Sequence, residues 1–218
     1  MALVAGIEEA GRGPVIGPMV MCGVLVEEKD EPKLKSIGAK DSKLLTPKTR
    51  ELLYEQIISM VKQVELIIVS AQEIDNALND PNLNLNKLEA LTSAKIINKL
   101  NPSKVLVDCP SNNTRAYAAE LRSYLENKKI TIVAEHKADV KYTVVSAASI
   151  IAKVTRDREI EKIKKEIGID FGSGYPSDEK TQMFLKKNWD KYPKIFRKTW
   201  ASYKKFISGK KQKKLGEF

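Results

Sequence analysis

The stretch that decides the fold is Gly6-Ile7-Glu8-Glu9-Ala10-Gly11-Arg12-Gly13-Pro14. It lies between two apolar runs, Leu3-Val4-Ala5 and residues 20–26, which are typical of β-strands. The adjacent carboxylates Glu8 and Glu9 offer the oxygen ligands that Mg²⁺ prefers. The glycines let the backbone approach a ligand closely, and Arg12 places a cation beside it. By itself the stretch also fits a charged hairpin turn, because Gly and charged residues are common in turns.

The whole chain fits one globular domain with a small appendage. It has 218 residues, of which 42% are hydrophobic and 30% charged. Its apolar runs are far shorter than the roughly 20 residues of a membrane span, so we expect no membrane association. No secretory signal is visible at the N-terminus. Cys22 and Cys109 lie in strand-like runs, which favours free buried thiols and a cytoplasmic location over a disulfide.

The net charge of +10 is concentrated at the C-terminal end. Residues 191–218 contain ten Lys and Arg residues and one acid, Glu217. A basic block attached to a nearly neutral domain favours a polyanion as partner. The alternative is a solvated tail without a binding role.

The order of predicted elements is that of an α/β domain with a mixed sheet. Two hairpin-linked strands at the start are followed by interleaved helices and strands. Predicted strands cover residues 2–7, 17–27, 64–69, 104–108 and 130–134. Predicted helices cover residues 47–62, 71–78, 85–100, 115–126, 144–167, 178–190 and 198–208.

Acidic residues recur where the predicted strands end. Glu8 and Glu9 end the first strand, Asp108 ends a central strand, and Asp139 follows the next one. Ligands of open α/β sheets tend to lie off strand ends, so we expect these acids to converge. Clustered carboxylates repel each other unless they are protonated or bind cations. A site for two divalent cations would resolve the repulsion and would suit hydrolysis of a phosphodiester.

The chain resembles type 2 ribonuclease H (ribonuclease HII) in its archaeal form, over about residues 3–208. The resemblance is carried by residues 6–14, 41–43, 107–108, 136–139, 146–154 and 172–178. It implies a ribonuclease H-like mixed sheet flanked by helices over residues 1–170, a small helical substrate-binding region over 171–208, and a flexible basic tail over 209–218. We also expect a monomer.

The resemblance further implies a substrate and a mechanism. The expected activity is cleavage of RNA in RNA/DNA hybrids and on the 5′ side of single ribonucleotides embedded in duplex DNA. Two divalent cations, Mg²⁺ or Mn²⁺, would be held by the four acids, and the products would carry 5′-phosphate and 3′-hydroxyl ends. The residues implied in substrate binding are Gly11, Arg12 and Gly13 at the ribose 2′-hydroxyl, Tyr175 at the next sugar, and Ser42, Lys43 and Lys153 at phosphates.

Glu8 departs from the family pattern, which has Asp at this position. Glu has one more methylene, which shifts its oxygens by about 1 Å, and Mg²⁺ demands near-ideal octahedral geometry. We therefore expect slow cleavage with Mg²⁺ and less slow cleavage with the more permissive Mn²⁺. The alternative function is a hybrid-binding protein, tethered to a sliding clamp, whose cleavage is impaired by Glu8.

The last seven residues, 212–218, read Q-x-x-L-x-x-F. This pattern is similar to the sliding-clamp-binding peptide of replication proteins, in which an aliphatic and an aromatic side chain fill an apolar pocket and the Gln fills a polar one. The corresponding anchors here are Gln212, Leu215 and Phe218. The lysines beside them could instead bind DNA nonspecifically.

Two other functions fit the sequence less well. A dinucleotide site around Gly11, Gly13 and Gly17 would need a helix after the glycines, whereas a strand is predicted there. Another nuclease of the ribonuclease H fold, such as a transposase or resolvase, would share the acids but neither Gly-Arg-Gly nor the loop around Tyr175.

Overall fold

The computed structural model describes residues 2–38 and 45–215, with side chains described up to Ser208. The strands are β1 (Leu3–Ala10), β2 (Met19–Glu27), β3 (Gln63–Val69), β4 (Lys104–Asp108) and β5 (Thr131–Glu135). The helices are α1 (Glu31–Ser36), α2 (Pro47–Met60), α3 (Ala71–Asn79), α4 (Leu85–Leu100), α5 (Thr114–Tyr124), α6 (Ala138–Lys141), α7 (Thr143–Ile167), α8 (Glu179–Asn188) and α9 (Ala201–Leu215). The predicted elements agree closely, except that the short helices α1 and α6 have no counterpart among the predicted helices and that α9 extends seven residues beyond its predicted end at 208.

The described strands form one mixed sheet in the order β3-β2-β1-β4-β5. Strand β1 is antiparallel to β2, with Gly6 opposite Val24, and parallel to β4, with Ile7 opposite Val107. Strand β4 is parallel to β5, with Asp108 opposite Glu135. The mixed sheet predicted from the sequence is thus confirmed, and its three parallel strands all end at the same edge.

The chain divides into two compact units that are discontinuous in sequence. Unit 1 comprises residues 1–10, 20–68 and 85–156, and unit 2 comprises residues 11–19, 69–84 and 157–218. The boundary predicted near residue 170 falls inside unit 2. Segment 11–19 joins unit 2 through long-range backbone bonds, such as the one from the Arg197 N–H to the Val15 carbonyl oxygen. Segment 69–84 joins it through the Asp75 carboxylate, which accepts from the backbone N–H groups of Lys198 and Thr199. Sequence patterns report local structure and therefore do not show such pairings.

The core of unit 1 covers one face of the sheet and depends on a glycine. Alternate residues of β1 and β2 pack with the apolar first half of α7 and with residues of α2. A Cβ atom on Gly6 would lie 2.5 Å from the carbonyl carbon of Val144, so α7 contacts the strand backbone directly. Gly23, on the opposite face, lies against the side chains of Ile96 and Leu100 in α4.

Unit 2 has its own aromatic core. Phe171, Phe184 and Phe196 pack together, and Val15, Ile16, Ile160, Leu185 and Tyr203 complete the buried cluster.

Cys22 and Cys109, both in unit 1, are buried free thiols, as predicted. Within residues 2–38 and 45–215, no helix has the length and apolar character needed to cross a membrane.

Replacing Gly6 by Ala should destabilise the protein more than replacing Gly23 by Ala. The new methyl group at residue 6 meets main-chain atoms of α7, which cannot rotate away. At residue 23 it meets the ends of three side chains, including Ile7, that can change rotamer. Overpacking of the second kind costs about 1–3 kcal/mol. Urea unfolding of both variants measures the difference, and equal losses of stability would contradict the direct contact between α7 and β1.

Candidate functional site

Strand pairing brings Glu8 and Asp108 together at one edge of the sheet. Each follows a paired residue, Ile7 in β1 and Val107 in β4, and these two strands are parallel neighbours. Glu8 is buried, with 6% of its surface exposed, whereas Asp108 is half-buried. The convergence predicted for these two acids therefore has a simple cause in the strand register.

The loop between β5 and α6 brings Asp139 to the same edge. The backbone N–H of Ala138 donates to Oδ1 of Asp108 at 2.9 Å, and Nδ1 of His136 lies 3.2 Å from the carbonyl oxygen of Cys109. Lys137, between them, has left-handed backbone geometry with φ 56°. These contacts bind the start of α6 to the end of β4. They leave Asp139 in the first turn of α6 with only 1% of its surface exposed.

The adjacent acids Glu8 and Glu9 face opposite sides of the sheet, because successive strand residues alternate. Glu8 shares its face with α7. The charge of Glu9 acts on the other face, where it helps to raise the pKa of the Tyr117 hydroxyl and of the Cys109 thiol, although burial is the main cause of both shifts. The two carboxylates thus reach the sheet edge from different sides.

The electrostatic centre of the site is Glu8. Its pKa is raised well above the ordinary value, first by burial and then by the negative charges of Glu9, Asp108 and Asp139, while the ammonium of Lys153 opposes the shift. Within the described chain, Oε2 of Glu8 is buried and accepts no hydrogen bond. Burial and the three negative charges each penalise the ionised carboxylate, so a nearby cation would be favoured strongly here.

The four acids fit a divalent cation by their chemistry. Carboxylate oxygens are hard ligands, and Glu8 has a buried oxygen without a hydrogen bond. In residues 2–38 and 45–215, however, no three His, Cys, Asp or Glu side chains converge closely enough to form a finished metal cage. The carboxylates are near enough to perturb one another, and their mutual repulsion opposes closer approach without a cation.

Lys153 projects from α7 on the same side of the sheet as Glu8. Its Nζ donates to Oγ of Ser149, one turn earlier in the helix, at 2.7 Å. The side chain is half-buried and its charge reaches Glu8. Lys153, which the sequence predicts to bind phosphate, thus lies where its charge acts on the acids.

The Gly11-Arg12-Gly13 segment belongs to unit 2, where it lies beside Tyr175. Gly11 is buried with φ 81°, a value that favours glycine, and Gly13 is exposed. A Cβ atom on Gly13 would lie 3.6 Å from the Tyr175 ring, an ordinary van der Waals contact. Tyr175 has 39% of its surface exposed.

The loop that carries Tyr175 is held by backbone and side-chain bonds. The carbonyl oxygen of Gly174 accepts from the N–H groups of Val15 and Ile16 at 2.9 and 3.2 Å. Asp178 accepts from the backbone N–H and the hydroxyl of Ser173, each at 2.7 Å. An exposed aromatic ring is thus fixed next to a glycine-rich loop within one unit.

Arg197 is a residue of this region that the sequence prediction missed. Its guanidinium is fully buried and donates to the carbonyl oxygens of Gly11, Arg12 and Gly17 at 2.6, 2.9 and 3.0 Å. The indole N–H of Trp200 donates to the carbonyl oxygen of Gly13 at 3.0 Å. In the sequence, Arg197 is one basic residue among many, and nothing local distinguishes it from the neighbouring lysines.

Five predicted site residues cannot be placed in the same way. Ser42, Lys43 and Phe218 lie outside the described residues. Gln212 and Leu215 fall within α9, beyond the part of that helix whose side chains are described.

Comparison with known proteins gives a consistent result over nearly the whole chain. A family model described as ribonuclease HII matches residues 5–203. Ribonuclease HII of Pyrococcus furiosus is 47% identical over 216 residues, covering 97% of this chain and 94% of that protein. Similarity at this level over this length shows common family membership.

Solved structures agree with the sequence comparison. Ribonuclease H2 from Pyrococcus horikoshii superimposes with a TM-score of 0.86 at 43% identity, covering 95% of this chain and 98% of that one. The ribonuclease HII in a complex with PCNA from Archaeoglobus fulgidus gives a TM-score of 0.81 at 41% identity, with coverages of 91% and 95%. The chain belongs to the ribonuclease HII family, whose members are hydrolases that act on the RNA of RNA/DNA hybrids.

Proposed function

We propose that this protein cleaves the RNA strand of RNA/DNA hybrids and nicks duplex DNA on the 5′ side of single embedded ribonucleotides, leaving 5′-phosphate and 3′-hydroxyl ends. The observation that carries this proposal is the group of acids around Glu8. Three other carboxylates, on β1, β4 and α6, raise the pKa of this one buried side chain. A cation-binding edge of that kind suits phosphodiester hydrolysis better than binding alone.

The four acids share one part in this proposal, and Asp108 has a second. Glu8, Glu9, Asp108 and Asp139 would hold two divalent cations, Mg²⁺ or Mn²⁺. When bound, such cations supply an activated water and stabilise the charge that develops on the phosphate. Asp108 also accepts the Ala138 N–H, so it orients the segment that bears Asp139. Lys153, whose charge reaches this group, would attract the phosphate.

Recognition of ribose would fall to unit 2. The backbone of Gly11, Arg12 and Gly13 would contact the 2′-hydroxyl, the group that distinguishes RNA from DNA. The exposed Tyr175 ring, in contact range of Gly13, would pack on the next sugar. Because Gly11 directly follows Ala10 in the chain, the ribose-contacting loop begins where the acid-bearing strand β1 ends. Ser42 and Lys43 would add phosphate contacts.

A sliding clamp is the proposed protein partner. The relative from Archaeoglobus fulgidus is known in a complex with PCNA, and this chain ends in the Q-x-x-L-x-x-F pattern. Gln212, Leu215 and Phe218 would be the anchors. Helix α9 runs to Leu215, so the first of these residues continue a helix that begins in unit 2.

Asp108→Asn should abolish nicking of a duplex that contains one ribonucleotide. The amide keeps an oxygen that can accept the Ala138 N–H, so the loop geometry is preserved while the negative charge is lost. The measurement is strand cleavage with Mg²⁺ and with Mn²⁺. Glu126→Gln, which removes an exposed carboxylate elsewhere in unit 1, is the matched control and should cleave like the parent. Full activity of Asp108→Asn would contradict the assigned role. Binding by the parent without nicking under either metal would favour the alternative, a clamp-tethered hybrid-binding protein.

Glu8→Asp should raise the turnover number with Mg²⁺, by up to about a hundredfold, because a misplacement of about 1 Å can cost that much. The increase with Mn²⁺ should be smaller, since we expect the parent to use this more permissive ion better than Mg²⁺. Steady-state cleavage rates with each metal provide the test. An unchanged rate with Mg²⁺ would show that the longer side chain does not limit this enzyme.

Removing residues 212–218 should abolish capture by a sliding clamp of the PCNA type and leave nicking of a free duplex intact. Anchor side chains of this kind commonly contribute about 2 kcal/mol or more each. The double variant Leu215→Ala/Phe218→Ala should reproduce the loss. Lys213→Ala/Lys214→Ala, which keeps the anchors, should bind the clamp nearly normally. If only the lysine variant lost binding, the contact would be electrostatic and not a pocket-filling motif.

A further inference from the structure

Four backbone carbonyl groups around the Gly11-Arg12-Gly13 loop are held by two side chains from one short segment. Arg197 binds the carbonyl oxygens of Gly11, Arg12 and Gly17, and Trp200 binds that of Gly13. All of these residues belong to unit 2. Every peptide of the loop from Gly11 to Pro14 therefore has its carbonyl oxygen fixed by a side chain.

We propose that Arg197 is a positioning residue for ribose recognition, which sets the direction of the loop's N–H groups by holding its carbonyl groups. The inference rests on the proposed function of the loop. In a trans peptide the carbonyl and the N–H point in opposite directions. Fixing the carbonyls of Gly11 and Arg12 toward the guanidinium turns the N–H groups of Arg12 and Gly13 away from it. These two N–H groups are thereby assigned as the donors that meet the 2′-hydroxyl.

Trp200 supports the loop in a second way. It holds the peptide between Gly13 and Pro14, which has no N–H to offer a ligand because proline lacks one. Its contact therefore fixes the end of the loop and donates nothing to recognition. The Trp200 ring also lies 4.8 Å from the guanidinium carbon of Arg197, within range of a cation–π interaction.

The contacts of Arg197 with three carbonyl oxygens require an arginine at this position. A guanidinium presents five donors in a planar fork, so one side chain can serve three carbonyl oxygens in different directions. A lysine ammonium is a compact point charge on a flexible stem and cannot span them in a fixed geometry. Complete burial of Arg197 adds to this demand, because its charge must be satisfied by polar groups away from water.

The backbone beside Arg197 is also fixed from two directions. Asp75 of α3 is buried and accepts from the backbone N–H of Lys198 at 2.7 Å and from the N–H and hydroxyl of Thr199 at 2.9 and 2.6 Å. On the other side, the N–H of Arg197 donates to Val15 at 2.9 Å. The guanidinium therefore extends from an anchored main chain, as a positioning residue must.

The test measures discrimination between ribose and deoxyribose without cleavage. Dissociation constants are determined in EDTA for two duplexes, one all-DNA and one with a single ribonucleotide. Arg197→Lys keeps the charge and loses the fork, so the two duplexes should bind alike, with all-DNA affinity unchanged. Trp200→Phe keeps a ring over Arg197 and loses one hydrogen bond, so the discrimination ratio should fall about fivefold. Lys198→Ala removes a neighbouring exposed charge and should weaken both duplexes equally, leaving the ratio at the parent value.

Circular dichroism and thermal melting establish which variants fold. If Arg197→Lys does not fold, the Trp200→Phe ratio decides the matter. A folded Arg197→Lys protein, or a Trp200→Phe protein, that discriminates as well as the parent would overturn the proposal while leaving the loop's proposed role intact. A parent that binds both duplexes equally would overturn both. The nicking assay on Asp108→Asn tests the acids separately and does not depend on this result.

Discussion

Direct contact between the backbone of α7 and strand β1 is the constraint on which unit 1 depends. Gly6 has no side chain, so the start of α7 lies against the middle of the central strand. Small residues in the first half of the helix extend this close packing along the sheet. The same contact has an electrostatic result, because it places Lys153 within electrostatic reach of Glu8. One glycine thus determines both the packing of the core and the charge environment of the acids.

The acid cluster illustrates how a site can oppose its own fold. Burial and three negative neighbours raise the pKa of Glu8, so ionising it in the folded protein costs free energy. Such a group lowers stability at pH values above its ordinary pKa, where the unfolded chain would be ionised. A bound cation reverses the sign of the local potential and removes that cost. Strain of this electrostatic kind is expected where a metal is part of the working protein.

Two kinds of preorganisation occur in the two units. In unit 1, strand register and the Asp108–Ala138 bond bring negative charges to one edge. In unit 2, a buried guanidinium and an indole hold the backbone carbonyl groups of the glycine loop. The first arrangement stores repulsion that a cation relieves. The second satisfies the loop's acceptors internally and leaves its shape independent of a ligand.

The sequence by itself determined the element order, the mixed sheet and the four acids, because periodicity, helix caps and strand-end residues are local signals. The family resemblance added the expected roles of Gly11, Arg12, Gly13 and Tyr175. Only the tertiary structure decided that Glu8 lies on the face of the sheet that α7 covers, that residues 11–19 belong with the C-terminal unit, and that Arg197 holds the glycine loop. These features depend on contacts between segments more than 100 residues apart, or on which face of a strand a helix covers. Neither can be read from the residue pattern of a single sequence.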